Sequence, residues 1–436
     1  MTEVSLPSSL DFSKSLPQLP DNAKSTLMSI QSTNGISFGP GQVVQWDLPS
    51  RPGLFIDPKT VMIRYRCVYT SGGTAGVIKR KPVYTNFFRL DEFVGGVPVN
   101  SVFQYNQVAN MYVDANYSAA DVLGQQFSWG LSQTTTLTDL DGVTLATTLG
   151  DNNFYLAAPL VCSWISNCDK LIPTGLMAPI RIQLTIDSIA NIAQVAANVT
   201  GISIVQPELC FTAIDMGVQV ENMVASMSPK LYLKSEGWAN ASQSLAASTS
   251  GFNTLVYNHR YESIKNLFFL SSSNATAKAV NTWGDSFNPM GTAGVNATFQ
   301  VQVGQDVYPQ LPINNATGGI ASVQQYLREC IGFITDNRNT MCLFNGNYNQ
   351  YAGDATASTV DLPAKFIIGL PLSKLNAPSP YQQVSLMSGV SAASMPINVL
   401  LNAGTAFNSA MNFYLIAQYD QLLEIDVASR QVSVIC

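Results

Sequence analysis

Apolar and polar residues alternate with a period of two along most of the chain. "TVMIRYRCVYT" (Thr60–Thr70) sets Val61, Ile63, Tyr65 and Cys67 against Met62, Arg64 and Arg66, as a strand with one buried face requires. The same period, rich in β-branched and aromatic residues, predicts strands at Gly41–Leu48, Phe87–Phe93, Phe154–Leu160, Ile180–Ile186 and Gly201–Asp215. In the second half it predicts strands at Lys230–Lys234, Thr254–Tyr257, Ile264–Leu270, Phe299–Val303, Lys365–Leu370, Ile397–Leu401 and Phe413–Ala417. A last pair, Leu422–Val427 and Gln431–Ile435, flanks the turn "ASR". Helical spacing is clear only over Ala321–Ile334, where Val323, Leu327, Cys330, Ile331 and Ile334 form one stripe. A weaker helical pattern lies within Val102–Gln126. Residues 1–30, punctuated by Ser and Pro, read as an arm that is disordered alone or ordered only against a neighbour.

The pattern also repeats on a longer scale. "FYLAAPL" (Phe154–Leu160) returns as "FIIGLPL" (Phe366–Leu372), with Pro159 and Pro371 offset by 212. "MAPIRIQL" returns as "SMPINVLL", Pro179 matching Pro396 at an offset of 217, and Ile214-Asp215 returns as Ile425-Asp426 at 211. Three matches in one order at nearly constant spacing indicate two copies of a β unit of roughly 200 residues, joined near Gly217–Ser228. Short strands, long loops and one helical insertion per unit fit a jelly roll, with each Pro at a strand end or edge where its missing N–H costs no ladder bond. The expected fold class is therefore all-β: two tandem eight-stranded jelly-roll sandwiches with short helical insertions. The expected organisation is an arm over 1–30, a first unit over 31–220 and a second over 221–436.

Composition changes what such a fold would be for. Hydrophobic residues are 46% of the chain and charged residues only 11%, against about 25% in ordinary soluble domains. Asn, Gln, Ser and Thr take the place of charge. Neutral polar groups are cheaper to bury at contacts than charges, so a surface of this kind suits a protein whose flanks meet many copies of itself. Composition alone leaves open a secreted β-sandwich with a polar skin. No apolar run of spanning length and no secretory leader is expected. The net charge of −6 argues against a dominant nucleic-acid footprint. The one dense basic run, Lys79-Arg80-Lys81, with Arg64 and Arg66 earlier, reads as a solvated hairpin end.

Candidate chemistry is sparse. The seven cysteines (Cys67, Cys162, Cys168, Cys210, Cys330, Cys342 and Cys436) contain no CxxC and read as small buried hydrophobes; whether Cys162 pairs with Cys168 is left open. The single histidine, His259, stands beside Arg260 and Tyr261 and reads as structural. Asp91 and Glu92 are adjacent and would point to opposite faces of a strand, whereas Glu424 and Asp426 would share one. Six Asn-X-Ser/Thr sequons, at Asn116, Asn198, Asn240, Asn274, Asn296 and Asn315, follow from an Asn- and Thr-rich composition. No catalytic, cofactor-binding or metal-ligating residue is assigned, no cofactor is expected, and the chain does not read as an enzyme.

The stretches "YLAAPLVCSWISNCDKLIPTGLMAPIRIQLTID", "FQVQVGQDVYPQLPI" followed by "QQYLRECIG", and "YDQLLEIDVASRQVSVI" resemble double jelly-roll major capsid proteins of eukaryotic DNA viruses, in the polinton-like virus, adintovirus and virophage branch. The resemblance covers most of residues 35–436. It implies a capsid protein made in the host cytoplasm or nucleus and carried in the virion. It further implies a homotrimer with six jelly rolls, a pseudohexagonal tile of an icosahedral shell. The partners it implies are the chain itself, neighbouring trimers, minor or penton capsid proteins and an inner membrane. Strong direct nucleic-acid binding is not among them. Two other readings stand beside it. One is a carbohydrate-binding or glycan-hydrolysing β-sandwich, with Trp283 as platform and Asp285 nearby. The other is a single jelly-roll RNA-virus coat protein with a protruding domain, whose halves would differ in topology.

Overall fold

The computed structural model describes residues 23–71, 77–79, 81–117, 124–130, 142–144, 150–193, 199–273, 297–314, 317–330, 367–373, 387–403, 407 and 410–436. Sixteen strands carry the architecture. In the first half they are β1 (Lys24–Gln31), β2 (Val43–Asp47), β3 (Met62–Ser71), β4 (Phe87–Val94), β5 (Val97–Phe103), β6 (Gly150–Pro159), β7 (Ile180–Ile186) and β8 (Val199–Asp215). In the second half they are β9 (Lys230–Leu245), β10 (Gly251–Tyr257), β11 (Ile264–Ser273), β12 (Thr298–Val303), β13 (Asp306–Asn314), β14 (Ile368–Pro371), β15 (Ile397–Ala403) and β16 (Met411–Asp426). Three helices complete the frame: α1 (Tyr105–Asn116), α2 (Val218–Met227) in the linker, and α3 (Thr317–Cys330).

The first half pairs its strands in the orders β1-β8-β3-β6 and β2-β7-β4-β5, all antiparallel. The second half pairs them as β9-β16-β11-β14 and β10-β15-β12-β13. Adding eight to every strand number turns one half into the other. Among the described residues no sheet mixes strands of the two halves. α1 and α3 occupy the same connection, between the fifth and sixth strands of each unit.

The repeated motifs fall on equivalent elements. Pro159 and Pro371 are the last residues of β6 and β14, each at the edge of its sheet. Pro179 and Pro396 stand just before β7 and β15. Ile214-Asp215 and Ile425-Asp426 close β8 and β16, with Lys24 opposite Asp215 and Lys230 opposite Asp426. The alternation of β7 is realised directly: Ile180, Ile182, Leu184 and Ile186 are buried, and Arg181 faces out. Gly95 and Gly96 join β4 to β5 with φ of 59° and 84°, left-handed geometry that a two-residue hairpin favours and glycine adopts without a Cβ penalty.

The structure departs from the sequence reading at several places. Residues 24–30, read as part of the arm, belong to β1, which pairs with β8 along its whole length. The strands expected at Phe413–Ala417 and Leu422–Val427 are one strand, β16, running through Tyr419, Asp420 and Gln421. β5 and β13 were not foreseen. β13 carries Pro309 and Pro312, which argue against a central strand, but it lies at the edge of its sheet, where proline is tolerated. α3 begins at Thr317, and the part of the expected helix beyond Cys330 lies outside the described residues. In the basic run, Lys81 is buried rather than solvated. It heads the helical turn Pro82–Thr85 in left-handed backbone, so the chain folds inward there instead of ending a hairpin in water.

Candidate assembly surfaces

The two units meet through one face of the second unit and one edge of the first. In the second unit, Phe269, Phe413, Leu415 and Ala417 pack inward with Phe299, Val399 and Leu401. On the opposite face of the same sheet, Trp238, Phe268, Leu270, Tyr414 and Ile416 are buried as well, within the core of the first unit. Trp238 meets Tyr112 of α1 edge to face at 5.6 Å and stacks on Phe268 at 5.9 Å. Beside them, the Gln421 amide donates to the Val99 carbonyl of β5, and Asn240 donates to Gln104 Oε1 at 2.9 Å.

The loop after β6 is the second fastening. Lys234 O accepts from Asp169 N at 3.1 Å, Glu236 O from Asn167 Nδ2 at 3.3 Å, and Trp164 O from Ser235 Oγ at 2.5 Å. Glu92 on β4 holds this loop from inside the first unit. Its carboxylate accepts from the Ser163 hydroxyl, from Asn100 Nδ2 at 2.8 Å and from Trp164 N at 3.0 Å. Burial nevertheless dominates and pushes the Glu92 carboxyl up to about 7, against the pull of those three donors. Beside the joint, within the second unit, Lys265 pairs with Glu236 at 2.5 Å and Lys234 with Asp420 at 3.4 Å. Burial works against the Glu236 charge, but Lys265, Gln418 and Lys234 outweigh it and keep this carboxyl below its usual range.

The equivalent faces that stay open have different chemistry. On the β1-β8-β3-β6 sheet, Leu27 is 71% and Tyr155 66% exposed. Arg64 pairs there with Glu208, which also accepts from Ser29 Oγ at 2.7 Å. The outer face of β2-β7-β4 carries Asp47, Arg181, Asp91 and Arg89, with ion pairs Arg181–Asp47 at 2.7 Å and Arg89–Asp91 at 2.9 Å. In the second unit the matching face reads Phe252-Asn402-Thr298, Thr254-Leu400-Gln300 and Val256-Asn398-Gln302 across three strands, without a charge. On β13, Leu311 is 82% exposed.

The other candidate residues scatter. His259 lies buried between the rings of Tyr257 and Tyr261, and its Nε2 donates to Leu415 O at 2.8 Å. Burial lowers its pKa and favours the neutral ring. Glu424 is tied to Lys230 at 2.6 Å, while Asp426 accepts from the N–H groups of Ala428 and Ser429 and closes the last hairpin; the two do not form a shared acid site. Cys162 and Cys168 are separate buried thiols, and burial pushes Cys168 up to about 12. Among the described residues no three His, Cys, Asp or Glu side chains converge on a metal-sized site. Asn116 is half-buried and donates to Tyr112 O at 2.9 Å, and Asn240 is enclosed in the joint. Trp283, Asp285, Cys342 and the other four sequons lie outside the described residues.

No family model matches the sequence, and no curated protein does. Solved structures do. The Faustovirus major capsid protein aligns with 97% of this chain and 92% of its own at 10% identity, with a TM-score of 0.61. A chain of the PBCV-1 virus capsid aligns with 97% of this chain and 99% of its own at 14% identity, with a TM-score of 0.56. The mavirus major capsid protein aligns with all of this chain and 95% of its own at 10% identity, with a TM-score of 0.51. The chain has the double jelly-roll fold of these capsid proteins. That fold accounts for the repeat: the two jelly rolls share one strand order, and among the described residues only one of their outer sheet faces is covered within the chain.

Proposed function

We propose that this double jelly roll is the major capsid protein of an icosahedral virus and assembles as a trimer whose six jelly rolls form a pseudohexagonal tile. One observation carries the reading. Inside the chain, the first-sheet face of the second unit packs on β5 and α1 of the first, and among the described residues the same face of the first unit is left open. Repeating that step onto the next chain sets the β1-β8-β3-β6 face, with Leu27 and Tyr155, against β13 of a neighbour, with Leu311. Such a heterologous contact closes into a ring when the rotation allows, and three chains then supply six units. The domains in this reading are 31–220 and 221–436, and the segment up to residue 30 contributes β1 to the first.

The uncharged outer face of β10-β15-β12 suits contact between neighbouring trimers, because no charge has to be stripped of water there. Minor or penton capsid proteins, an inner membrane and residence in the virion belong to the same reading, and catalysis does not. Light scattering on the purified chain tests it: the expected species is a trimer of about 141 kDa, three times the 47.0 kDa chain, seen as a six-sided particle by electron microscopy. A monomer at every concentration would overturn it.

A further inference from the structure

The loop after β6 strains its own backbone at one buried peptide bond. Cys162 is fully buried and sits in left-handed geometry, with φ of 56°, which a residue carrying a Cβ adopts at a cost. The residue that follows is Ser163, also fully buried. Its hydroxyl donates to Glu92 Oε1 and accepts from Ile165 N at 3.2 Å, so the oxygen is fixed in place. Asn100 Nδ2 donates to Glu92 Oε2 at 2.8 Å and also to the Cys162 carbonyl at 3.2 Å. A nucleophile, a carboxylate base and a donor on the carbonyl oxygen thus surround the Cys162–Ser163 bond, as acyl transfer requires. The attacking oxygen belongs to the residue whose nitrogen leaves, so attack closes a small ring and needs no second segment. Burial holds the Glu92 carboxyl at about 7, where one group can take a proton and give it back.

A second place in the chain gives the contrast. Ser248 has φ of 64° and precedes Thr249, but the Thr249 hydroxyl donates to the Ala246 carbonyl at 2.7 Å. Strain and a hydroxyl coincide there too, with the proton committed to a carbonyl that cannot accept it outright.

We propose that Cys162 and Ser163 exchange their amide for an ester, an N-to-O acyl shift of the chain's own backbone. Ser163 Oγ attacks the Cys162 carbonyl carbon while Glu92 takes the hydroxyl proton, and Asn100 Nδ2 stays on the carbonyl oxygen as it becomes negative. The C–N bond then breaks as Glu92 returns the proton to Ser163 N. Nothing is added or lost: the product is an ester through Oγ and a free amine on Ser163. The ester path is one atom longer, which lets Cys162 leave its left-handed geometry. It lies in the loop that fastens the second unit through Trp164 and Asn167. This is a single rearrangement within one chain, not turnover, and it stands whether or not the chain assembles.

Hydroxylamine tests the proposal, because it cuts esters. The full chain is unfolded with this reagent in mildly acidic guanidinium, which keeps the new amine protonated and off the carbonyl, and the products are read by mass spectrometry. Fragments 1–162, ending in a hydroxamate, and 163–436, starting with a free Ser163 amine, are expected, with no cut between Ser248 and Thr249. Ser163→Ala is expected to abolish the fragment 163–436, and Ser163→Cys to keep the cut through a thioester. Glu92→Gln is expected to form the ester about 100-fold more slowly after refolding. A parent chain that yields no fragment starting at Ser163, or a Ser163→Ala chain that yields as much, would overturn the proposal. An unchanged rate in Glu92→Gln would overturn the role of the carboxylate.

Discussion

Tyr112 and Trp238 meet edge to face, ring centroids 5.6 Å apart and planes at 88°. One belongs to α1 of the first jelly roll and the other to β9 of the second, so this pair welds the two units. Trp238→Ala is expected to cost about 3–5 kcal/mol. A double-mutant cycle with Tyr112→Ala, read by urea denaturation, is expected to show a coupling of about 0.5–1.5 kcal/mol. A coupling of zero would mean that the units do not support each other through these rings.

Glu92 makes stability depend on pH. Burial raises its carboxyl from 4.5 to about 7 in the folded chain. A group with a raised folded pKa contributes fully below its unfolded pKa and loses that contribution as pH rises through the folded value. Stability from this residue is therefore expected to fall between pH 4.5 and pH 7, by about 3 kcal/mol in all. Glu92→Gln is expected to flatten this part of the profile in denaturation curves taken across the range. An unchanged slope would place the titration elsewhere.

The open face of the first unit should govern assembly without governing folding. Leu27→Asp, Tyr155→Asp and Leu311→Asp each place a charge on an exposed side chain, where surface substitutions shift stability by about 0.5 kcal/mol or less. Each is expected to give a folded 47.0 kDa monomer by light scattering, with a single cooperative melting transition that no longer depends on protein concentration. Trimers that persist in all three variants would argue for a different contact.

Gly369, in the second Pro-Leu motif, is where α3 sits on β14. A Cβ there would stand 2.9 Å from Leu327 Cδ1 and 3.1 Å from Cys330 Sγ. Gly369→Leu is expected to push α3 away at a cost of about 1–3 kcal/mol and to open the buried Cys330 to thiol reagents. Labelling as slow as in the parent chain would show that the helix stays in place.

The acidic balance, with a net charge of −6, leaves little to hold phosphates. The purified chain is expected to show no measurable affinity for DNA in filter binding at physiological salt. Tight binding that weakens steeply as salt is raised would reveal counterion release and a basic surface in use.

Much of the fold was legible because both of its causes are local. Alternation marks a strand with one wet face, and Pro159, Pro371, Pro179 and Pro396 can stand only at strand ends and edges, so they keep their places in both copies. The joint was harder to see, although β16 held a signal. "FYLIA" (Phe413–Ala417) is apolar at consecutive positions, which means that both faces are buried. Read from sequence, the strand breaks over Gln418–Gln421, because polar residues such as Asp420 and Gln421 look like a break. Their partners, Lys234, Ser263 and Val99, lie far away in the chain. β1 was hidden for a similar reason: only Met28 and Ile30 face inward, and its other neighbours are supplied by β8.

By itself, then, the order of residues determined that there would be two like sandwiches, where their strands would end, and that charge would be scarce on their flanks. Periodicity, proline geometry and composition act over a few residues and need no partner. Which face of the second sandwich would be covered, and which face of the first would stay open, was decided only in three dimensions. A side chain on a strand is inside or outside according to what packs against it, and here that is a helix and a loop from the other half of the chain.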